Sequence, residues 1–172
     1  LDPTNSAESI VITSSVPREG KSLTAVNLAI VIANSGERVL LVDADLRRPK
    51  IHTIFNDNNE TGLAQFLLNK VEFDAIVKDS GIHNLSFITS GKHINGPAEL
   101  ISSKNMKLFL KNASSKFSKI IFDTPPVTLV TDGAILASIC TAVILVAQGG
   151  KANKHLLTRA KELLEKVKAK LL

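Results

Sequence analysis

Ser9–Ser14 (SIVITS) is a short β-branched run that passes directly into Ser15-Val16-Pro17-Arg18-Glu19-Gly20-Lys21-Ser22, and an apolar helical stretch opens at Lys21 and runs to Ser35. A strand, an eight-residue loop ending in Gly-Lys-Ser and a helix, in that order, constrain the fold more than any other feature of the chain. This is the P-loop pattern with Ser15 in place of the first glycine. Successive backbone N–H groups in such a loop curl around a phosphate, and the helix N-terminus adds the positive end of its dipole. Gly20 falls where the chain passes closest to the phosphate. Lys21 places a point charge on the β- and γ-phosphates, and the Ser22 hydroxyl is a Mg²⁺ ligand. The predicted nucleotide-contacting set is Ser15, Val16, Pro17, Arg18, Glu19, Gly20, Lys21, Ser22 and Leu23.

The rest of the chain alternates in the same way. Strands are predicted at Arg38–Asp43, Leu85–Thr89, Lys119–Asp123 and Ala142–Ala147. Helices are predicted near Leu63–Leu68, over Ala98–Phe117 and Asp132–Ile139, and over Asn153–Lys168, with a polar stretch around Arg47–Glu60. Continuous apolar strands between helices imply an α/β fold with a mostly parallel central sheet covered by helices on both faces. Met106, Phe109, Leu110, Ala113 and Phe117 share one helix face, with Lys104, Lys107 and Lys111 on the other. Leu156, Leu157, Ala160, Leu163, Leu164 and Val167 form the inner stripe of the last helix. The lysines read as a solvated face. The whole of 1–172 is expected to be a single domain, cut at both ends.

Two strands end in acid. Val39–Val42 runs into Asp43-Ala44-Asp45-Leu46-Arg47, and Lys119–Phe122 into Asp123-Thr124-Pro125-Pro126. Ligands of a parallel α/β sheet bind beyond the carboxyl ends of its strands, so the P-loop and both acidic clusters converge on one crevice. Mg²⁺ takes one or two carboxylates together with waters and phosphate oxygens, which suits Asp43, Asp45 and Asp123 around a bound ATP or ADP.

Composition excludes several other classes. The single cysteine, Cys140, permits no internal disulfide and no CxxC site; it reads as a small buried hydrophobe. His52, His83, His93 and His155 have no metal-ligand spacing. The net charge of +5 is concentrated in the second half: residues 100–172 hold 12 Lys/Arg against 4 Asp/Glu, and residues 1–99 hold 9 against 12. With no Trp and no Tyr for base stacking, nucleic acid is not the expected partner. Gly133–Gly150 is charge-free but short for a span and interrupted by polar residues, so a short helix followed by a buried strand is expected there. No secretory signal or repeat is visible.

The combination SSVPREGKS, VLLVDADLRRP and IIFDTPPV resembles the cytoplasmic domain of the bacterial tyrosine kinases of capsular and exopolysaccharide synthesis. The likeness extends through GPAELISSKNMKLFL and TDGAILA. In that family the three motifs are named Walker A, Walker A′ and Walker B, and Asp43, Asp45 and Arg47 fulfil the DxDxR pattern of the second. The resemblance implies an ATP- and Mg²⁺-dependent protein-tyrosine kinase on a P-loop NTPase fold, with Lys21, Asp43 and Asp45 as catalytic residues and Ser22, Asp45 and Asp123 at the metal. It gives Asp45 the metal and Asp43 the proton of the incoming tyrosine hydroxyl, two acidic roles that the residues alone leave interchangeable. Arg47 is left to hold a carboxylate or a neighbouring subunit. The implied partners are a membrane-bound polysaccharide co-polymerase or activator, a protein tyrosine acceptor and a homo-oligomer. The implied location is the cytoplasm, at the inner face of the membrane. The family's tyrosine-rich tail has no counterpart here.

Two other readings share the P-loop. An ATPase switch of the septum-placing or chromosome-partitioning type carries an additional lysine where Val16 stands and lacks DxDxR. A nucleotide-sensing module would bind ATP without forming product.

Overall fold

In the computed structural model, which describes residues 8–150 and 152–172, the strand-rich runs form one six-stranded sheet. Its strands are β1 (Glu8–Ser14), β2 (Val39–Asp43), β3 (Lys78–Asp79), β4 (Leu85–Ile88), β5 (Lys119–Asp123) and β6 (Ala142–Val146). Their spatial order is β3-β4-β2-β5-β1-β6, parallel throughout except for the short β3, which pairs antiparallel with β4. An additional parallel bridge joins Val143 to Leu171 at the β6 edge.

The helices are α1 (Lys21–Asn34), α2 (Ile51–Ile54), α3 (Leu63–Leu67), α4 (Pro97–Ile101), α5 (Lys104–Lys116), α6 (Asp132–Ala137) and α7 (Lys154–Lys166). Each buried strand serves two cores, because successive side chains point to opposite faces. Val11, Leu40, Val42, Ile120, Phe122 and Val143 face a core shared with α3 to α7. Ile10, Ile12, Val39, Leu41, Ile121 and Ala142 face a second core against α1 and Ile51 of α2. Ala25, Ala29 and Ala33 recur at every fourth position of α1 and are buried there, so a helix with little bulk on that stripe lies close against the sheet. In the absence of Trp and Tyr, the first core centres on phenylalanine, with Phe109 in tilted or edge contact with Phe66, Phe73 and Phe122 at 5.5–6.1 Å.

The sheet and its two helical layers match the expectation, with boundaries moved by one or two residues. Three local features differ. The single helix expected over Ala98–Phe117 is two, α4 and α5, because the chain leaves helical geometry at Ser103 (φ −70°, ψ 164°) before α5 begins. The polar stretch at Arg47–Glu60 contains the one-turn α2. The edge strand β3 was not expected; two residues, one half-buried and one exposed, carry no periodic signal. Gly133–Gly150 divides into α6 and β6, and no helix among the described residues is long and apolar enough to cross a membrane.

The site is positioned by the order β2-β5-β1 in the middle of the sheet. Ile12 pairs with Asp123, and Asp43 with Asp123, so the carboxyl ends of the P-loop strand and both acidic strands stand side by side.

Candidate active site

A cleft of about 660 Å³ opens over these strand ends. One wall is the P-loop, through Pro17, Arg18, Gly20, Lys21, Ser22 and Leu23. The other is the loop after β2, through Asp45, Arg47, Arg48, Pro49 and Lys50, and the loop after β5 contributes Pro125, Pro126, Leu129 and Val130. Ser15, Val16, Glu19, Asp43 and Asp123 are not among its lining residues, and Asp123 meets the site from below through Lys21.

The P-loop owes its shape to two left-handed residues, Arg18 at φ 67° and Gly20 at φ 89°. Glu19 braces the loop from beneath. It is buried, and its Oε2 accepts hydrogen bonds from the Ser15 hydroxyl and the Val16 N–H, both at 2.8 Å. Ser14 Oγ donates to the Val16 carbonyl at 2.8 Å. The side chains of Ser15 and Glu19 thus serve the loop rather than the cleft, a division that the motif alone does not reveal.

Lys21 Nζ stands among the predicted acids, 3.3 Å from Asp45 Oδ2 and 3.6 Å from Asp123 Oδ1. Asp123 is fully buried, and neither of its oxygens has a hydrogen-bond partner. Burial pushes its carboxyl up to about 6, with the Lys21 ammonium and the Ser22 hydroxyl pulling the other way. Two carboxylate oxygens without a hydrogen bond, one of them ion-paired with Lys21, are hard oxygen donors beside a serine hydroxyl and a second carboxylate, and they fit Mg²⁺. Among the described residues no three His, Cys, Asp or Glu side chains form a metal-holding group of their own.

Asp43 and Asp45 are separated by their surroundings. Asp43 Oδ2 accepts the N–H groups of Lys50 and Ile51, each at 2.9 Å, and Oδ1 accepts the N–H of Asp45 at 3.2 Å. It lies beneath the cleft floor and pins the following loop. Burial pushes its carboxyl up to about 7, the Asp123 charge adds to this, and the two amides oppose it. Asp45 reaches the cleft itself, and its Oδ1 accepts the N–H groups of Arg47 and Arg48 at 3.3 and 2.9 Å.

Arg47 holds a carboxylate of this same chain. Its Nε and Nη2 donate to Oδ2 and Oδ1 of Asp132, at 2.9 and 3.2 Å. Asp132, the fully buried first residue of α6, is the site residue that sequence reasoning missed. The TDGAILA string was noted, but a single acid at a helix start reads as a cap. Cys140 packs against the first core, and burial pushes its thiol up to about 12, which removes it as a nucleophile.

Comparison with known proteins agrees with the geometry. A family model described as an AAA domain matches residues 8–171. Tyrosine-protein kinase YwqD of Bacillus subtilis is 45% identical over 165 residues, spanning 96% of this chain and 70% of YwqD. The kinase domain of the Escherichia coli tyrosine kinase ETK superposes with a TM-score of 0.92 at 31% identity, covering 99% of this chain and 66% of that one. The septum site-determining protein MinD of Pyrococcus horikoshii, complexed with Mg-ADP, has a TM-score of 0.80 at 19% identity over 96% of this chain and 68% of its own, and so shares the fold alone. Identity at the level of YwqD, sustained along nearly the whole chain, establishes kinship as well as fold: the chain belongs to the AAA-domain family and, within it, to the bacterial tyrosine-protein kinases.

Proposed function

We propose that this chain is an ATP- and Mg²⁺-dependent protein-tyrosine kinase domain serving capsular or exopolysaccharide synthesis. The observation that carries this reading is the convergence of Lys21, at the start of α1, with Asp45 and Asp123 over the carboxyl ends of three adjacent strands. Phosphoryl transfer asks for positioning and charge neutralisation more than for covalent chemistry, and this crevice offers both. The P-loop amides and the start of α1 receive the phosphates of ATP. Lys21 Nζ exchanges its two carboxylates for β- and γ-phosphate oxygens. Ser22 Oγ, Asp45 and Asp123 hold Mg²⁺, which supplies positive charge to the phosphates.

The tyrosine oxygen forms a bond to the γ-phosphorus as the bond from that phosphorus to the β,γ-bridging oxygen breaks. ADP departs with that electron pair, and the hydroxyl proton passes to the aspartate pair. Asp45 faces the cleft, whereas Asp43 lies behind it with both oxygens accepting backbone N–H groups, so Asp45 is the member of the pair that the tyrosine hydroxyl meets. The 172 residues contain no tyrosine, so the acceptor lies outside them. A membrane-bound activator and self-assembly at the inner membrane face complete the proposal by family resemblance.

The test is transfer of the terminal phosphate from ATP to a tyrosine peptide or acceptor protein. Phosphotyrosine formation supports the kinase. Phosphate release with no phosphotyrosine supports the switch reading instead.

A further inference from the structure

The loop after β2 carries charge beyond the residues assigned above to the nucleotide. Lys21 is engaged with Asp45 and Asp123, and Arg47 with Asp132. Arg48 and Lys50 line the same cleft, are exposed, and make no ion pair among the described residues. They do not leave from the loop that wraps the phosphates. They leave from the loop that bears Asp43 and Asp45, the pair assigned to the tyrosine hydroxyl above.

That loop is held at every step. Asp45 Oδ1 holds the Arg47 and Arg48 amides, Asp43 Oδ2 holds the Lys50 and Ile51 amides, and Pro49 fixes φ between the two cations. Two long cationic side chains therefore project into one cleft from a pinned backbone, one on each side of a proline. Preorganised backbone reduces the ordering cost of engaging a ligand, and unpaired cations at a cleft wall raise the local concentration of anionic groups. The cleft lining offers only one acid, Asp45, to compete for them.

We propose that Arg48 and Lys50 form an acceptor subsite that selects tyrosines flanked by acidic residues. This rests on the kinase reading, and the experiment separates the two. Three peptides of equal length, each with one tyrosine flanked by Glu, by Gln or by Lys, are phosphorylated at saturating ATP, and kcat/KM is compared. The Glu peptide is expected to exceed the Gln peptide by about tenfold, as two partly exposed charge pairs allow. The Lys peptide should be slowest, and the preference should shrink with added salt.

In Arg48→Glu/Lys50→Glu the order inverts at saturating ATP, and in Arg48→Ala/Lys50→Ala the three peptides converge, with the KM for ATP of the alanine variant within about twofold of the unsubstituted chain. Equal rates for all three peptides with the unsubstituted chain overturn the subsite and leave the kinase standing. So does an acidic preference that survives charge reversal. A tenfold rise in the KM for ATP of the alanine variant assigns these cations to the nucleotide and also overturns it. If no peptide is phosphorylated at all, the kinase reading falls and the subsite with it.

Discussion

Arg47 and Asp132, 85 positions apart, close a two-pronged ion pair that ties the loop after β2 to the first turn of α6. Asp132 is fully buried, whereas the Arg47 side chain is 39% exposed. The pair is therefore lopsided. Removing the arginine strands a buried carboxylate, and removing the carboxylate leaves a guanidinium that water can reach. Arg47→Ala is predicted to cost about 2 kcal/mol, below the 3–5 kcal/mol of a fully buried pair because Arg47 is partly solvated. Asp132→Asn is predicted to cost less, and the double substitution less than Arg47→Ala alone. Urea midpoints of the three variants measure this; equal losses for the two single substitutions would show that the pair is not lopsided.

The P-loop takes left-handed backbone at two positions, Arg18 and Gly20, on either side of Glu19. A Cβ on Gly20 would meet nothing within 4 Å, so the cost of Gly20→Ala is purely conformational, about 1–2 kcal/mol from its φ of 89°. That variant should fold, with a lower melting temperature and a raised KM for ATP. Arg18→Gly removes a side chain from φ 67° and should recover up to about 1 kcal/mol, less the entropy glycine adds to the unfolded chain. Thermal melts and nucleotide titrations of both variants check the pair of signs.

Asp43 and Asp123 are predicted to make the metal-free protein lose stability as pH rises from about 4 to 7. Burial raises both carboxyls above their ordinary value of 3.8, to about 7 and about 6. A raised folded-state value means that the contribution of these groups to stability is fully present below about pH 4. It is lost as pH climbs through 6 and 7, and is level above that. One pKa unit corresponds to about 1.4 kcal/mol, so the difference in unfolding free energy between the unsubstituted chain and Asp123→Asn should fall by about 3 kcal/mol between pH 4 and 7. Denaturant unfolding in chelator at a series of pH values measures it. A flat difference would contradict the buried placement of Asp123 without hydrogen bonds.

The parallel sheet and its crevice were legible because continuous apolar strands, a P-loop and strand-end acids are all local signals. The two-faced core is encoded in the alternation of Val11 and Ile12, or Leu40 and Leu41, though both members of each pair are apolar and alternation is invisible in hydropathy. Long-range partnerships were not legible. No spacing links Arg47 to Asp132, and nothing in DADLR distinguishes Asp43, whose oxygens hold backbone amides, from Asp45, which faces the cleft. The break at Ser102–Ser103 shows in the sequence only as the five-residue step from Ile101 to Met106, which does not fit a 3.6-residue period and is easily taken for a polar helix face. Glu19 reads as a charged loop residue, yet its burial beneath the P-loop depends on two hydrogen bonds that only the folded loop creates.

The most direct test of the account is phosphotyrosine formation by the unsubstituted chain and by Lys21→Met, assayed side by side with labelled ATP, Mg²⁺ and a tyrosine-containing acceptor. Folding of both is confirmed by circular dichroism. The account predicts labelled phosphotyrosine from the first and a loss of at least about a hundredfold from the second, the scale of removing one charge-stabilising group from a phosphoryl-transfer site. Equal labelling by a folded Lys21→Met would remove the strand-end crevice from the chemistry and contradict the account.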